Sequence, residues 1–217
     1  MSYIKSNKAA WEEAFDKRSD AFGKDMAKVL LSTRNPYLEK PLISLLERFD
    51  LKDKTMAHFC CNNGRELLSI MKMGLKSSVG FDIAGNMVAF ANHMAKDIQF
   101  NAHFIETNIL DIDASFDGAF DFILLTVGAL CWFEDLNAFF KVVSKCLKQG
   151  GHVLIAEVHP LANMLATPSE PVYDKEHPIA LVHSYFRSHP WIETDGMGYM
   201  AGDYESLPFT SFSHSMG

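Results

Sequence analysis

Hydrophobic residues in the first 160 positions follow two spacings, one typical of helices and the other typical of buried strands. Leu42, Leu45 and Leu46 recur at helical spacing. Residues 120–126 are almost continuously apolar, as in a strand covered on both faces. The pattern predicts strands over 56–60, 78–82, 100–105, 120–126 and 152–158, and helices over 5–22, 36–48, 64–74, 84–96 and 136–147.

The order of these elements predicts the fold class. Strands that alternate with helices at this spacing form a parallel sheet with helices on both faces. We therefore predict an α/β fold with a doubly wound, mostly parallel, Rossmann-like sheet. Right-handed crossovers place a ligand at the carboxyl ends of the strands, near the point where the strand order reverses.

Charge and proline divide the 217 residues into two parts. Residues 158–217 hold 2 basic and 7 acidic residues, so this segment carries −5 of the formal net charge of −7. The segment also holds six of the eight prolines, which predicts loops that decorate one face of the sheet. Because an acidic chain does not concentrate near phosphates, we do not expect a nucleic acid partner.

Cysteine usage and hydropathy favour a reduced, cytoplasmic compartment. The four cysteines, Cys60, Cys61, Cys131 and Cys146, fit neither a disulfide scaffold nor a zinc site, so no metal is predicted. The longest strongly apolar run, 122–133, has 12 residues, whereas a membrane-spanning helix needs about 20. We therefore expect no membrane partner.

Two features at the ends of predicted strands indicate a nucleotide-like ligand. The first strand leads into Cys60-Cys61-Asn62-Asn63-Gly64, where Asn and Gly tolerate the left-handed backbone of a tight strand-to-helix turn. The second strand ends at Asp82, 18 residues after Gly64, where a carboxylate can bind both ribose hydroxyls. Each feature alone fits an ordinary turn or helix cap equally well, but together they favour the nucleotide.

The turn also indicates which nucleotide binds. It has one glycine where NAD enzymes have Gly-x-Gly-x-x-Gly, and no Gly-Lys-Ser/Thr of a P-loop occurs. A ligand with ribose and adenine but no phosphate fits better, and S-adenosylmethionine is such a ligand. A nicotinamide-dependent oxidoreductase on a similar sheet and a cofactor-binding protein without transferase activity stay as alternatives.

Two strings of residues carry a resemblance to a known family. The strings His58-Phe59-Cys60-Cys61-Asn62-Asn63-Gly64-Arg65-Glu66 and Val79-Gly80-Phe81-Asp82-Ile83 resemble those of class I S-adenosylmethionine-dependent methyltransferases. The similarity is greatest to the bacterial small-molecule type, whose first motif can read Cys-Asn-Asn-Gly-Arg-Glu. It covers residues 11–160 well and 161–217 loosely, and it implies an enzyme that uses S-adenosylmethionine and releases S-adenosylhomocysteine.

The resemblance implies a cofactor-binding role for ten residues. These are Cys61, Asn62, Asn63 and Gly64 under the methionine, Asp82 and Ile83 at the ribose, Asn108 and Ile109 at the adenine, and Thr126 and Val127 below the sulfonium. Two positions depart from the family pattern. His58 replaces an acid that often helps to bind the methionine ammonium, and Asn108 replaces an Asp, although its carbonyl oxygen can still accept from the adenine amino group.

Methyl transfer by in-line displacement requires a general base only if the nucleophile arrives protonated. Glu157 and His159 follow the fifth strand and are the candidates for this base. We expect a small-molecule methyl acceptor of unidentified chemistry, and we leave open whether the protein forms a homo-oligomer.

The resemblance also implies a domain organisation. Residues 1–160 should form the S-adenosylmethionine-binding domain with an N-terminal helical cap, and 161–217 a loop-rich substrate or lid segment. The family has seven strands, whereas five are predicted here, so the fifth strand lacks a neighbour. Because an open strand edge is prone to pairing, we expect either that the chain is truncated at Gly217 or that a partner chain covers the edge.

Overall fold

A five-stranded parallel sheet runs through the centre of the molecule. The structure is a computed structural model that describes residues 2–18, 25–168 and 170–216. The strands of the sheet are β1 (Thr55–Phe59), β2 (Ser77–Asp82), β3 (Ala102–Glu106), β4 (Phe120–Leu125) and β5 (Leu147–Ile155). Their order is β3-β2-β1-β4-β5, so the strand order reverses between β1 and β4. The predicted doubly wound, Rossmann-like fold is therefore confirmed.

Helices and two further short strands surround this sheet. The helices are α1 (Tyr3–Asp16), α2 (Met26–Ser32), α3 (Lys40–Leu46), α4 (Arg65–Met71), α5 (Gly85–Asp97), α6 (Leu136–Cys146) and α7 (Gly198–Ala201). The short strands β6 (Trp191–Glu193) and β7 (Phe209–Ser211) form a separate antiparallel pair. Within the described residues, no helix is both long and apolar enough to cross a membrane.

Side chains of β1 alternate between the two faces of the sheet, as the strand period of two requires. Met56 packs into the apolar core that α2, α3, α4 and α5 cover. Ala57 and Phe59 pack into the opposite core, which α6 covers. Because both faces are covered, the carboxyl ends of the strands are the place where polar groups can meet a ligand.

Two predicted helices have different bounds in the structure. The helix expected over 36–48 begins only at Lys40, because Asn35 adopts a left-handed backbone (φ 49°) and the chain turns before Pro41 enters the first helical turn. The helix expected over 5–22 begins at Tyr3 and ends at Asp16, and residues 19–22 of that prediction lie outside the described residues.

The glycines Gly150 and Gly151 lie within β5, although the sequence predicts a strand only from residue 152. The helix α6 ends at Cys146, and the strand begins at the next residue. Phe120 pairs with Leu147, but Phe122 pairs with His152, so four residues of β5 bulge out of register there. Gly150 allows this bulge because its backbone is left-handed (φ 78°). β5 is the edge strand of the described sheet, as predicted.

The segment after residue 160 is largely irregular, as predicted, and its last part packs on α1. The side-chain amide of Asn7 exchanges two hydrogen bonds with the backbone of Thr210, at 2.8 and 2.7 Å. Glu13 accepts from the Leu207 amide at 2.8 Å. Met197, Met200 and Phe209 share an apolar cluster with three buried residues of α1, namely Ala10, Ala14 and Phe15. We call α1 together with residues 197–211 the cap. The domain division at residue 160 stays a prediction.

Candidate active site

A cavity of about 850 Å³ opens beneath the cap, at the carboxyl ends of the five parallel strands. Every strand contributes residues that follow its last position. These residues are Cys60 and Asn62 after β1, Asp82 and Ile83 at β2, Thr107 and Asn108 after β3, Thr126 and Val127 after β4, and Ala156 and Glu157 after β5. The cavity volume lies in the upper part of the usual range for small-molecule sites, roughly 300–1,000 Å³.

The turn after β1 is built from left-handed residues. Cys60, Asn62 and Gly64 have φ angles of 55°, 51° and 78°. Gly64 is required for a second reason, because a Cβ atom there would lie 2.6 Å from the ring of Phe104. The turn therefore packs closely against Phe104 and leaves space on its cavity side for a ligand.

Asp82 fastens this turn to the end of β2. Its Oδ2 accepts from the backbone amide of Asn62 at 2.7 Å, and its Oδ1 accepts from the amide of Ala84 at 3.0 Å. Burial raises the pKa of Asp82, while the donors at Ala84 and Asn62 oppose the rise. Each carboxylate oxygen keeps one lone pair, so Asp82 can also accept from two ligand hydroxyls.

The residues that follow β3, the strand next to β2, form the neighbouring part of the cavity wall. Asn108 follows β3, and its Oδ1 accepts from the Leu110 amide at 3.2 Å while its Nδ2 donates to Asp111 at 3.1 Å. The side chain thus holds its own turn and keeps one carbonyl lone pair for a ligand. Ile109 beside it is buried and contributes an apolar surface.

Residues 126–133, which we call the β4 loop, form the opposite side of the cavity. Thr126 Oγ1 lies 2.9 Å from Nε2 of His58, which is fully buried in β1. Burial lowers the pKa of His58 to about 3, so the imidazole is neutral at physiological pH. Gly128, at φ 88°, turns its amide toward Glu157 and donates to both carboxylate oxygens at 2.8 and 2.9 Å.

Aromatic side chains of the cap and of the β4 loop meet over the cavity. The ring of Trp11 packs edge-on against Trp132 at 5.6 Å and against Tyr199 at 5.8 Å. The Tyr199 hydroxyl also lies 2.9 Å from Nδ2 of Asn62 and accepts its hydrogen bond. These contacts join α1, α7 and the turn after β1, so the cap is held to the floor of the cavity.

Known proteins resemble this arrangement. Residues 58–155 match the family model described as a methyltransferase domain. Residues 58–155 thus resemble a methyltransferase domain. This match agrees with the predicted enzyme class, a methyltransferase, and with S-adenosylmethionine as the predicted cofactor. No curated protein matches the sequence.

Solved structures agree on the fold of the methyltransferase domain. The YcgJ protein of Bacillus subtilis has a TM-score of 0.50 and 20% identity over 54% of this chain and 50% of that protein. A Listeria monocytogenes protein, provisionally described as an S-adenosylmethionine-dependent methyltransferase, has a TM-score of 0.61 and 18% identity over 81% of this chain and 73% of its own. Geranyl diphosphate C-methyltransferase of Streptomyces coelicolor, solved with S-adenosylhomocysteine, has a TM-score of 0.53 and 16% identity over 72% and 65%. At these identities the likeness shows the fold alone, and the match spans about half the length of the Bacillus protein.

Most of the ten residues that we expected to bind the cofactor lie on the cavity wall. They are Asn62, Asp82, Ile83, Asn108, Ile109, Thr126 and Val127. Cys61, Asn63 and Gly64 do not line the cavity but lie buried in the turn beneath it. Cys61 supports the turn by donating its amide to Phe81 O at 3.1 Å.

The two candidates for the general base occupy different places. Glu157 lines the cavity. His159 does not line it, because its Nδ1 accepts from the Leu161 amide at 3.2 Å and thereby starts a 3₁₀ turn on the exposed surface. Among the described residues, no group of three or more His, Cys, Asp or Glu side chains is placed to hold a metal ion.

Several residues that line the cavity were not predicted from the sequence to be part of the site. Arg65 and Glu66 form an ion pair at 2.8 Å on the cavity wall, and Tyr37 and Glu39 lie at the same end. The other unassigned residues come mainly from α1 and the β4 loop, and they include Tyr3, Ile4, Asn7, Trp132 and Phe133. Arg65 and Glu66 stand in the motif that carried the resemblance, so their proximity to the turn was the available signal.

Proposed function

We propose that this protein transfers the methyl group of S-adenosylmethionine to a small-molecule acceptor that binds under the cap. The observation that carries the proposal is the position of Asp82. Its carboxylate fastens the Asn62 turn and faces a cavity that gathers the ends of all five strands. A buried carboxylate at the end of the second strand is suited to bind a ribose diol.

The polar groups of the cavity fit this cofactor. Asp82 and Asn108 supply acceptors for the ribose hydroxyls and the adenine amino group, and Ile109 supplies an apolar surface for the ring. Among the described residues of the cavity wall, Arg65 is the one basic side chain, and it is paired with Glu66. This wall does not suit a cofactor with several phosphates, whereas a cofactor without phosphate requires no cluster of cations.

Arg65 and Glu66 also compensate for the acid that His58 replaces. The methionine part of the cofactor carries a carboxylate and an ammonium on the same carbon. A guanidinium and a carboxylate that lie 2.8 Å apart offer the complementary pair of charges. We propose that Arg65 binds the methionine carboxylate and that Glu66 binds the ammonium.

When bound, S-adenosylmethionine supplies a methyl group that its sulfonium has already activated. The protein therefore contributes chiefly position, and such positioning supplies roughly 7–11 kcal/mol of the barrier reduction. Asp82 and the turn after β1 fix the ribose, Thr126 and Val127 form the wall beside the sulfonium, and the rings of the cap exclude water from the reacting groups.

The experiment that tests the cofactor is calorimetric titration with S-adenosylhomocysteine. We expect the wild-type chain to bind and Asp82→Ala to bind at least about tenfold more weakly, a loss of about 1.4 kcal/mol. Glu176→Ala, which removes an exposed carboxylate outside the cavity, is the matched control and should bind like the wild type. Stabilisation by NAD(H) or NADP(H) and not by S-adenosylhomocysteine would contradict the proposal and favour an oxidoreductase.

The acceptor of the Streptomyces coelicolor relative is a diphosphate. We propose that the acceptor here has different chemistry. A diphosphate is bound by basic side chains or through a metal ion; among the described residues the cavity wall has Arg65 alone as a basic side chain, and no group of three or more His, Cys, Asp or Glu is placed to hold a metal ion. Methyl transfer from labelled cofactor to a metabolite extract, followed by identification of the labelled product, tests the transferase activity itself.

A further inference from the structure

The charge of the cavity wall is strongly one-sided. Four carboxylates line it, those of Glu39, Glu66, Asp82 and Glu157, against the single guanidinium of Arg65, so the formal lining charge is −3. No histidine or lysine stands among the described lining residues. A bound cofactor of net charge +1 reduces this to −2, so the cavity favours a second ligand that is cationic.

Three of the four carboxylates already have a partner or are hydrated. Asp82 accepts from two backbone amides, and Glu66 pairs with Arg65. Glu39 is exposed at the N-terminus of α3 and is therefore solvated. Glu157 also accepts from a backbone amide, that of Gly128, but it is half-buried, takes part in none of the ion pairs within the described residues and is assigned to no part of the cofactor.

Glu157 lies three strand positions away from the ribose site. It follows β5, whereas Asp82 ends β2, and β1 and β4 lie between these two strands. At about 4.8 Å per strand, three strand spacings separate them by roughly 14 Å. The sulfonium is bonded to C5′ of the ribose, and the methionine is assigned to Arg65 and Glu66 after β1, so the space beside Glu157 is left for the acceptor.

The β4 loop brings aromatic rings to the same end. Gly128, which holds the Glu157 carboxylate, lies four residues before Trp132, and both line the cavity. The ring of Trp132 packs edge-on against that of Trp11, and both residues line the cavity. A carboxylate beside aromatic faces is a chemical environment that binds ammonium groups.

We propose that the methyl acceptor carries a protonated amino group, which the Glu157 carboxylate binds as an ammonium ion. The inference rests on the proposed function, because it assigns the other end of the cavity to S-adenosylmethionine. Burial also raises the pKa of Glu157, so its charged form is disfavoured and a nearby cation would stabilise that form.

The test measures binding of small probes to the complex with S-adenosylhomocysteine. The probes are aliphatic and aromatic primary amines, each compared with the alcohol and the carboxylic acid of the same carbon skeleton. We expect at least one amine to bind about tenfold more tightly than its alcohol and the acids not to bind. Glu157→Gln should remove this preference and bind S-adenosylhomocysteine within about twofold of the wild type.

Glu39→Gln is the matched control, because it removes the same charge from an exposed position of the same cavity. This variant should keep the preference for amines. Equal loss in the two variants, a preference for acids, or no amine preference in any pair would overturn the inference. Weaker S-adenosylhomocysteine binding by Glu157→Gln would overturn it as well, because Glu157 would then hold the cofactor. Failure of the wild type to bind S-adenosylhomocysteine would instead overturn the proposed function.

Discussion

The Nε2 atom of His58 lies 2.9 Å from Oγ1 of Thr126, and this contact joins the interior of β1 to the first residue of the β4 loop. The imidazole is fully buried, and its Nδ1 has no hydrogen-bond partner within the described residues. In a neutral ring that carries its proton on Nε2, Nε2 donates to Thr126 Oγ1. The hydroxyl proton of Thr126 is then free to point into the cavity.

His58 should make the stability of the protein depend on pH. Burial lowers its pKa from 6.5 to about 3, so the unfolded chain binds a proton in this range that the native chain does not. Stability should therefore fall as the pH falls from 6.5 toward 3, by about 1.4 kcal/mol per pH unit from this group. His58→Leu should lose that part of the slope in urea unfolding measured at several pH values. An unchanged slope would show that His58 is protonated in the native state.

Gly64 should tolerate a methyl group less well than another glycine with a similar backbone. Gly64 and Gly118 both have left-handed φ angles, 78° and 63°, but a Cβ atom meets the Phe104 ring only at Gly64. Gly118→Ala should cost about 1–2 kcal/mol from the backbone alone. Gly64→Ala should cost about 1–3 kcal/mol more, because the ring must move. Urea unfolding of both variants provides the comparison, and equal losses would contradict the steric argument.

Glu157→Gln should change stability in a direction that depends on pH. Because burial raises the pKa of Glu157 above 4.5, the native protein binds this proton more tightly than the unfolded chain does. Wild-type stability from this group therefore increases as the pH falls through the native pKa toward 4.5. The Gln variant should be more stable than the wild type at pH 8, and the difference should disappear near pH 4. Thermal unfolding across this range checks the prediction, with exposed Glu176→Gln as the control.

Asn7→Ala should loosen the cap without unfolding the sheet. The variant loses both hydrogen bonds between Asn7 and Thr210, each of which contributes about 0.5–1.5 kcal/mol. Hydrogen exchange at the Thr210 amide should become faster, while exchange within β1 and β4 should not change. Asn101→Ala removes an exposed contact to Lys76 O before β3, at the other end of the sheet, and should leave Thr210 unaffected. Faster exchange throughout β1 would show that the cap and the sheet open together.

The sheet could be predicted from the sequence because its signals are local. Apolar runs, the Asn62-Asn63-Gly64 turn and Asp82 place the strand ends and the ribose side of the cavity without knowledge of distant contacts. The cap could not be predicted in this way, because Tyr3, Asn7 and Trp132 line the cavity through contacts between remote segments. The predicted start of the fifth strand was wrong for a similar reason, because pairing with β4 decides that Gly150 and Gly151 belong to this strand.

The contact between Asn7 and Thr210 joins residues that are 203 positions apart in the sequence. This separation affects the order in which parts of the protein fold during synthesis. During synthesis the five described strands of the parallel sheet have emerged once residue 155 has been made, but α1 lacks its partner over the cavity until residue 210 follows. Contacts between such distant residues form late, because the loop they close has a large entropy. A nascent chain therefore completes its scaffold before it can enclose a ligand.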